Sequence, residues 1–168
     1  MGARSIHRVM IVAAVLFMFL PRSARAANDC PWLNEATASG ILGGNAVGSY
    51  TPAANGKAAL CSFVANSADA KRTLRITMEA AVPAPHERLA ALGRLCGSGR
   101  VPLGATGNEA LRCKARGSLH NEYVAGRVRD QVFSITLSTN SNDDPILTDE
   151  MLRMHVTVAA EQVSGNLF

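Results

Sequence analysis

The chain has 168 residues, 48% of them hydrophobic, 18% charged and 5% aromatic, which excludes a disordered or collagen-like polymer and fits about one domain. Its formal charge of +4 is concentrated at the start, where Arg4, Arg8, Arg22 and Arg25 supply four of the 17 basic residues and residues 1–26 hold no acid. The remaining 13 bases face 13 acids, so the rest of the chain has no net field to draw it onto nucleic acid.

Arg4, His7 and Arg8 precede the apolar run Met10 to Leu20, Pro21 ends it, and Ala24 and Ala26 place small residues at the −3 and −1 positions of a cleavage site. This is the layout of a secretory signal peptide. We expect residues 1–26 to be removed and residues 27–168 to fold as a single disulfide-stabilised domain, periplasmic or secreted. The rival reading is an uncleaved anchor, but eleven apolar residues make a helix of about 16 Å, roughly half a bilayer core. Ala27, Asn28 and Asp29 lack the leucine and the small residue that lipid attachment at Cys30 wants. No later run approaches membrane-spanning length, so no transmembrane segment is expected after cleavage.

The mature chain holds Cys30, Cys61, Cys96 and Cys113, an even number that favours two disulfides in an oxidising compartment. Three pairings are possible and spacing does not choose among them. We favour Cys30–Cys61 with Cys96–Cys113, which joins sequence neighbours. No Cys-x-x-Cys pair is present for zinc or redox chemistry.

A short helix is expected over residues 33–43, capped by Asn34 and stopped by Gly43 and Gly44, followed by a loop to about Gly56. Residues 57–65 and 72–79 alternate as half-buried strands around a polar turn. Pro83 and Pro85 introduce a second helix over His86 to Cys96, with Leu89, Leu92 and Leu95 at helical spacing. Residues 97–107, rich in glycine, read as a loop. Three more strands follow, around Leu111 to Ala115, Glu122 to Arg129 and Gln131 to Ser138. A last helix starts near Asp144 and Pro145, the acid as its cap, and runs to about Ser164 with Leu152, Val156, Ala159 and Val163 on one stripe. The fold expected is α+β: an antiparallel sheet of about five strands with the helices packed on one face, a two-layer sandwich.

Cys30 ahead of a helix ending in Leu42 and Gly43, the strand Cys61-Ser62-Phe63, the segment Val101 to Ala110 and the hairpin Val124–Val128 with Val132–Leu137 together resemble a known layout. It is that of the small cysteine-containing domains of unknown function in bacterial lipoproteins and secreted proteins, especially of actinobacteria. The resemblance implies ligand binding or extracytoplasmic sensing and carries over no catalytic residue. The missing lipid-attachment pattern departs from the lipoproteins and argues against a membrane-tethered role.

The chemistry legible in the residues is sparse. His86, His120 and His155 are the candidate general bases, but no Gly-x-Ser-x-Gly elbow, Ser-x-x-Lys or His-x-x-x-His accompanies them, and surface or capping roles account for them. Residues 96–107 contain four glycines yet lack Gly-Lys-Ser/Thr, and Pro102 stands where a dinucleotide loop needs its third glycine. Residues 140–150 are rich in oxygen donors, but Pro145 and Met151 occupy the positions where an EF-hand requires glycine and glutamate. No catalytic residue, metal or cofactor is therefore expected. The suggestive feature is a basic sheet face. Arg112, Lys114 and Arg116 point one way, and if Tyr123, Arg127 and Arg129 lie outward on the next strand the six converge, with Arg75 adding to them. Such a stripe would hold an anionic ligand or an acidic partner; the bland alternative is a solvated face balanced by Glu79, Glu109 and Glu122. The function expected is a non-catalytic binding or interaction module of the bacterial cell envelope, its ligand or protein partner undefined. The alternative is a small periplasmic hydrolase or hydrolase inhibitor.

Overall fold

A computed structural model describes residues 29–55, 58–117 and 120–168; the expected export signal, residues 1–26, lies outside them. Ten elements follow in chain order: α1 (Glu35–Leu42), β1 (Ala46–Thr51), β2 (Ala59–Asn66), β3 (Lys71–Glu79), α2 (Pro85–Gly93), β4 (Cys96–Pro102), β5 (Glu109–Ala115), β6 (Asn121–Val128), β7 (Gln131–Thr139) and α3 (Asp149–Gly165). The strands form one antiparallel sheet in the order β1-β2-β3-β7-β6-β5-β4. The α+β class is as expected; the sheet has seven strands rather than about five. Both additions are edge strands, β1 in the segment read as a loop after α1 and β4 in the glycine-rich stretch.

The helices are not gathered on one face, and this is a second correction. Strand alternation sends Leu74, Ile76 and Met78 of β3, with Phe133, Ile135 and Leu137 of β7, into one large core against Leu42 of α1 and Leu152 and Val156 of α3. A smaller core lies on the other face, where Leu89 of α2 packs with Cys96, Cys113, Tyr123 and Ala125. Strand β6 is therefore buried on both sides, continuously from Asn121 to Gly126. Gly126 lies across from Phe133, and a Cβ there would run into the Phe133 ring.

Asn34 Oδ1 accepts from the Thr37 amide, and Gly43 ends α1 in the left-handed region at φ 61°, as the sequence pattern anticipates. Helix α3 begins four residues later than expected, at Asp149 with Thr148 as its cap, because Asp144 is otherwise engaged. Its carboxylate takes two bonds from Arg72, at 2.7 and 2.8 Å, one from Thr139 Oγ1, and the amides of Ile146 and Leu147. Arg72 also reaches the carbonyls of Leu42 and Gly43 at the end of α1. Burial pushes the Asp144 carboxyl up, but these donors overrule it and hold it well below the usual carboxylate range.

The two disulfides join Cys30 to Cys61 and Cys96 to Cys113, the favoured pairing. Among the described residues no helix is long and apolar enough to cross a membrane. Both sheet edges are blocked. On β1 the amides of Ala46 and Gly48 donate to Ser39 Oγ and Glu35 Oε1 of α1. On β4 two register shifts and Pro102 break the ladder.

Candidate functional site

The register between β5 and β6 decides the fate of the expected basic stripe. Cys113 lies opposite Tyr123 and Arg112 opposite Val124, so Arg112 and Lys114 share the face of α3 while Tyr123 and Arg127 share the face of α2. The six residues do not converge. Arg112 Nη1 donates to Arg153 O and Thr157 Oγ1 of α3, and its Nε lies 3.7 Å from Glu122. Lys114 pairs with Asp149 at 2.9 Å, which lowers that carboxyl. Arg116 donates to the Cys96 carbonyl. Tyr123 is buried under α2, and burial raises its phenol. Arg129 occupies the β6–β7 turn at φ 56°, its amide bonded to Asn108 Oδ1. Glu122 is buried as well, and desolvation pushes its carboxyl up against the opposing pull of Arg112.

Arg127 belongs to a different cluster. Its guanidinium donates to Glu109 Oε1 at 2.8 Å, and His86 Nδ1 meets Glu109 Oε2 at 2.9 Å. Both bonds, Arg127 foremost, lower the Glu109 carboxyl. A histidine oriented by a carboxylate is half of a nucleophilic site, but the His86 side chain is 75% exposed and has no hydroxyl or thiol partner among the described residues. His155 Nδ1 bonds the Ile41 carbonyl, so that histidine fastens α3 to the end of α1. Among the described residues no three His, Cys, Asp or Glu side chains are grouped to hold a metal. An open depression of about 420 Å³ lies between the β1–β2 and β3–α2 connections, lined by Ala53, Asn55, Met78, Glu79, Ala81 and Val82. Its one carboxylate, Glu79, is held bidentately by Arg88.

What the sequence reading missed is the face that α2 leaves bare. Helix α2 lies over β6 and β7, and the large core occupies the opposite side, so β1, β2, β3 and the near side of β7 present an open surface. One row across the strands reads Ser49, Ser62, Arg75, Thr136. Beside it Thr73 pairs with Ser138 and Thr77 with Ser134. Ser49 Oγ donates to the Ser62 carbonyl, whereas Ser62, Thr73, Thr77, Thr136 and Ser138 make no side-chain hydrogen bond among the described residues. Arg75 is exposed and has no ion pair or hydrogen bond there either. The signal was present in the polar half of the alternation, where β3 and β7 carry Thr, Ser and Arg with no acid before Glu79. Comparison with family models, curated proteins and solved structures finds no match for this chain.

Proposed function

We propose that the protein is a secreted or periplasmic, non-catalytic binding module of the bacterial cell envelope, which takes an anionic ligand or partner on the open face of β1, β2, β3 and β7. The observation that carries this reading is Arg75, an exposed guanidinium without a counter-ion among the described residues, at the centre of a row of hydroxyls. Arg112, Lys114 and Arg127, by contrast, are paired with acids of their own chain. Two disulfides in a chain of this size fit an oxidising compartment, in keeping with the export signal read at residues 1–26.

Two measurements test it. Expressed with its own N-terminus in a bacterium, the protein should be recovered outside the cytoplasm, shortened by 26 residues at the cleavage site expected from the sequence. The purified mature form should then be retained on bacterial envelope fractions, and Arg75→Glu should abolish retention without lowering Tm. Full-length protein in the cytoplasm defeats the export part; undiminished retention of the Arg75→Glu variant defeats the site.

A further inference from the structure

Resting on that reading, we infer that the ligand of the open face is a carboxylated polysaccharide, laid across the strands along the row of Ser49, Ser62, Arg75 and Thr136. Charge selects the anion. On this face Arg75 and Lys71 stand four residues apart on β3, roughly 13 Å. The nearest acid along the strand, Glu79, is already held by Arg88. A guanidinium presents a planar fork that matches a carboxylate in two parallel hydrogen bonds.

The shape of the surface selects the polymer. An extended peptide reads a sheet through its edge, and both edges here are blocked: by Ser39 and Glu35 at β1, by register shifts and Pro102 at β4. A folded protein partner needs aromatic or large aliphatic anchors. The face offers Val47, 68% exposed, with half-buried Val64 opposite it and half-buried Leu60 further along β2, all beside the row through Arg75 and not in it, and no aromatic side chain among the described residues. A second copy packed through this same face is disfavoured too, since it would set Arg75 against hydroxyls or another Arg75. What the row does offer is one polar group per strand at about 4.8 Å spacing, close to the length of one sugar ring. Hydroxyls that donate and accept suit sugar hydroxyls, and Arg75 takes the carboxylate.

The test uses the mature protein and polygalacturonate, a linear polymer with one carboxylate per sugar, with dextran and polyglutamate as comparators, in titration calorimetry. Polygalacturonate should bind and dextran should not; Arg75→Glu should weaken binding about tenfold or more, the scale of one charge-assisted pair. Ser62→Ala with Thr136→Ala should weaken it several-fold with every charge in place, a loss that charge alone does not produce. Arg94→Glu, an equal charge change on the exposed end of α2, should leave affinity unchanged. Equal loss in the Arg94 variant reduces the effect to net charge and overturns the inference. Polyglutamate binding as tightly as polygalacturonate overturns the sugar. If polygalacturonate fails to bind while envelope retention still depends on Arg75, the ligand class falls and the binding module stands; if retention does not depend on Arg75, both fall.

Discussion

The run α1-β1-β2-β3 and the run α2-β4-β5-β6-β7 meet along one seam, β3 against β7, and each contains one disulfide. They hold their strands by different means. In the first, Cys61 is fully buried in the large core among Phe63, Leu74 and Ile76, so packing as well as the disulfide holds the chain around it. In the second, β4 is exposed along its whole length after Cys96 and its ladder to β5 is twice interrupted. Its hold on the sheet is the bridge to Cys113, the Arg116 bond to the Cys96 carbonyl and a broken set of backbone bonds. One bond type therefore does two jobs: it tethers the segment ahead of α1 to a well-packed core, and it reinforces an edge whose ladder is interrupted.

The largest effect should come from the side already well packed. Asp144→Ala leaves Arg72 buried and charged without its partner, and breaking such a pair costs about 3–5 kcal/mol. A thermal melt at neutral pH should show a single transition at much lower temperature. Acid should reproduce part of this. The Asp144 carboxyl is depressed in the folded state, so its contribution is complete above the ordinary value of about 4 and is lost as pH falls below it. Asp144→Asn should flatten that acid limb; a variant that loses stability as steeply as the parent below pH 4 would rule out this carboxyl as the cause.

Next come the disulfides, and here the two halves should part. The 31- and 17-residue separations give about 3.7 and about 3.1 kcal/mol in the chain-entropy model, nearly equal. Cys30→Ala with Cys61→Ala should accordingly lower Tm as one cooperative unit, with amide exchange accelerated evenly through β2, β3 and β7. Cys96→Ala with Cys113→Ala should lose protection first in β4 and β5 while β2 and β3 keep theirs. Uniform acceleration in both variants would dissolve the contrast.

The same contrast explains what could be read in advance. Strands β2, β3, β5 and β7 announce themselves because one face is apolar and the other polar. Strand β1 hides because Ala46, Gly48 and Tyr50 alternate weakly and its outer amides are satisfied by α1, a partner that no local pattern reveals. Strand β4 hides because Cys-Gly-Ser-Gly-Arg-Val-Pro has no periodicity at all, and a cross-link substitutes for it. The side on which α2 lies was legible in principle: Tyr123, Val124, Ala125 and Gly126 run without a polar break, which marks burial on both faces. Once Cys113 is assigned to the α2 side, Arg112 and Lys114 must face α3, and the basic stripe cannot form. For the candidate site, the residues of the open face were in view, Arg75 among them; what the sequence did not show was which strands neighbour one another, and hence that Ser62, Arg75 and Thr136 stand in one row.

Arg112→Glu sharpens the point at a smaller scale. It would set a second carboxylate against buried Glu122 and remove the bonds to Arg153 O and Thr157, so we expect a loss of about 1–3 kcal/mol by chemical denaturation. Arg75→Glu, on the open face with nothing to lose, should stay within about 0.5 kcal/mol of the parent.

The smallest effect concerns Glu122 itself, and its sign opposes that of Asp144. Burial raises its carboxyl, so the folded protein holds a proton over a range where the unfolded chain has released it. Stability therefore declines as pH rises from the ordinary value of about 4 to the raised one, and above that the penalty is constant. Arg112 offsets part of it from 3.7 Å, too far for a hydrogen bond. Glu122→Gln keeps the shape and removes the charge, so it should raise stability slightly at pH 7, by less than about 1 kcal/mol, with the gain vanishing near pH 4 where the parent is protonated too. If the variant is instead less stable at pH 7 than the parent by more than it is at pH 4, the attraction of Arg112 outweighs desolvation, and the β5–β6 side of the sheet is held by a net favourable ion pair as the Arg72–Asp144 side is.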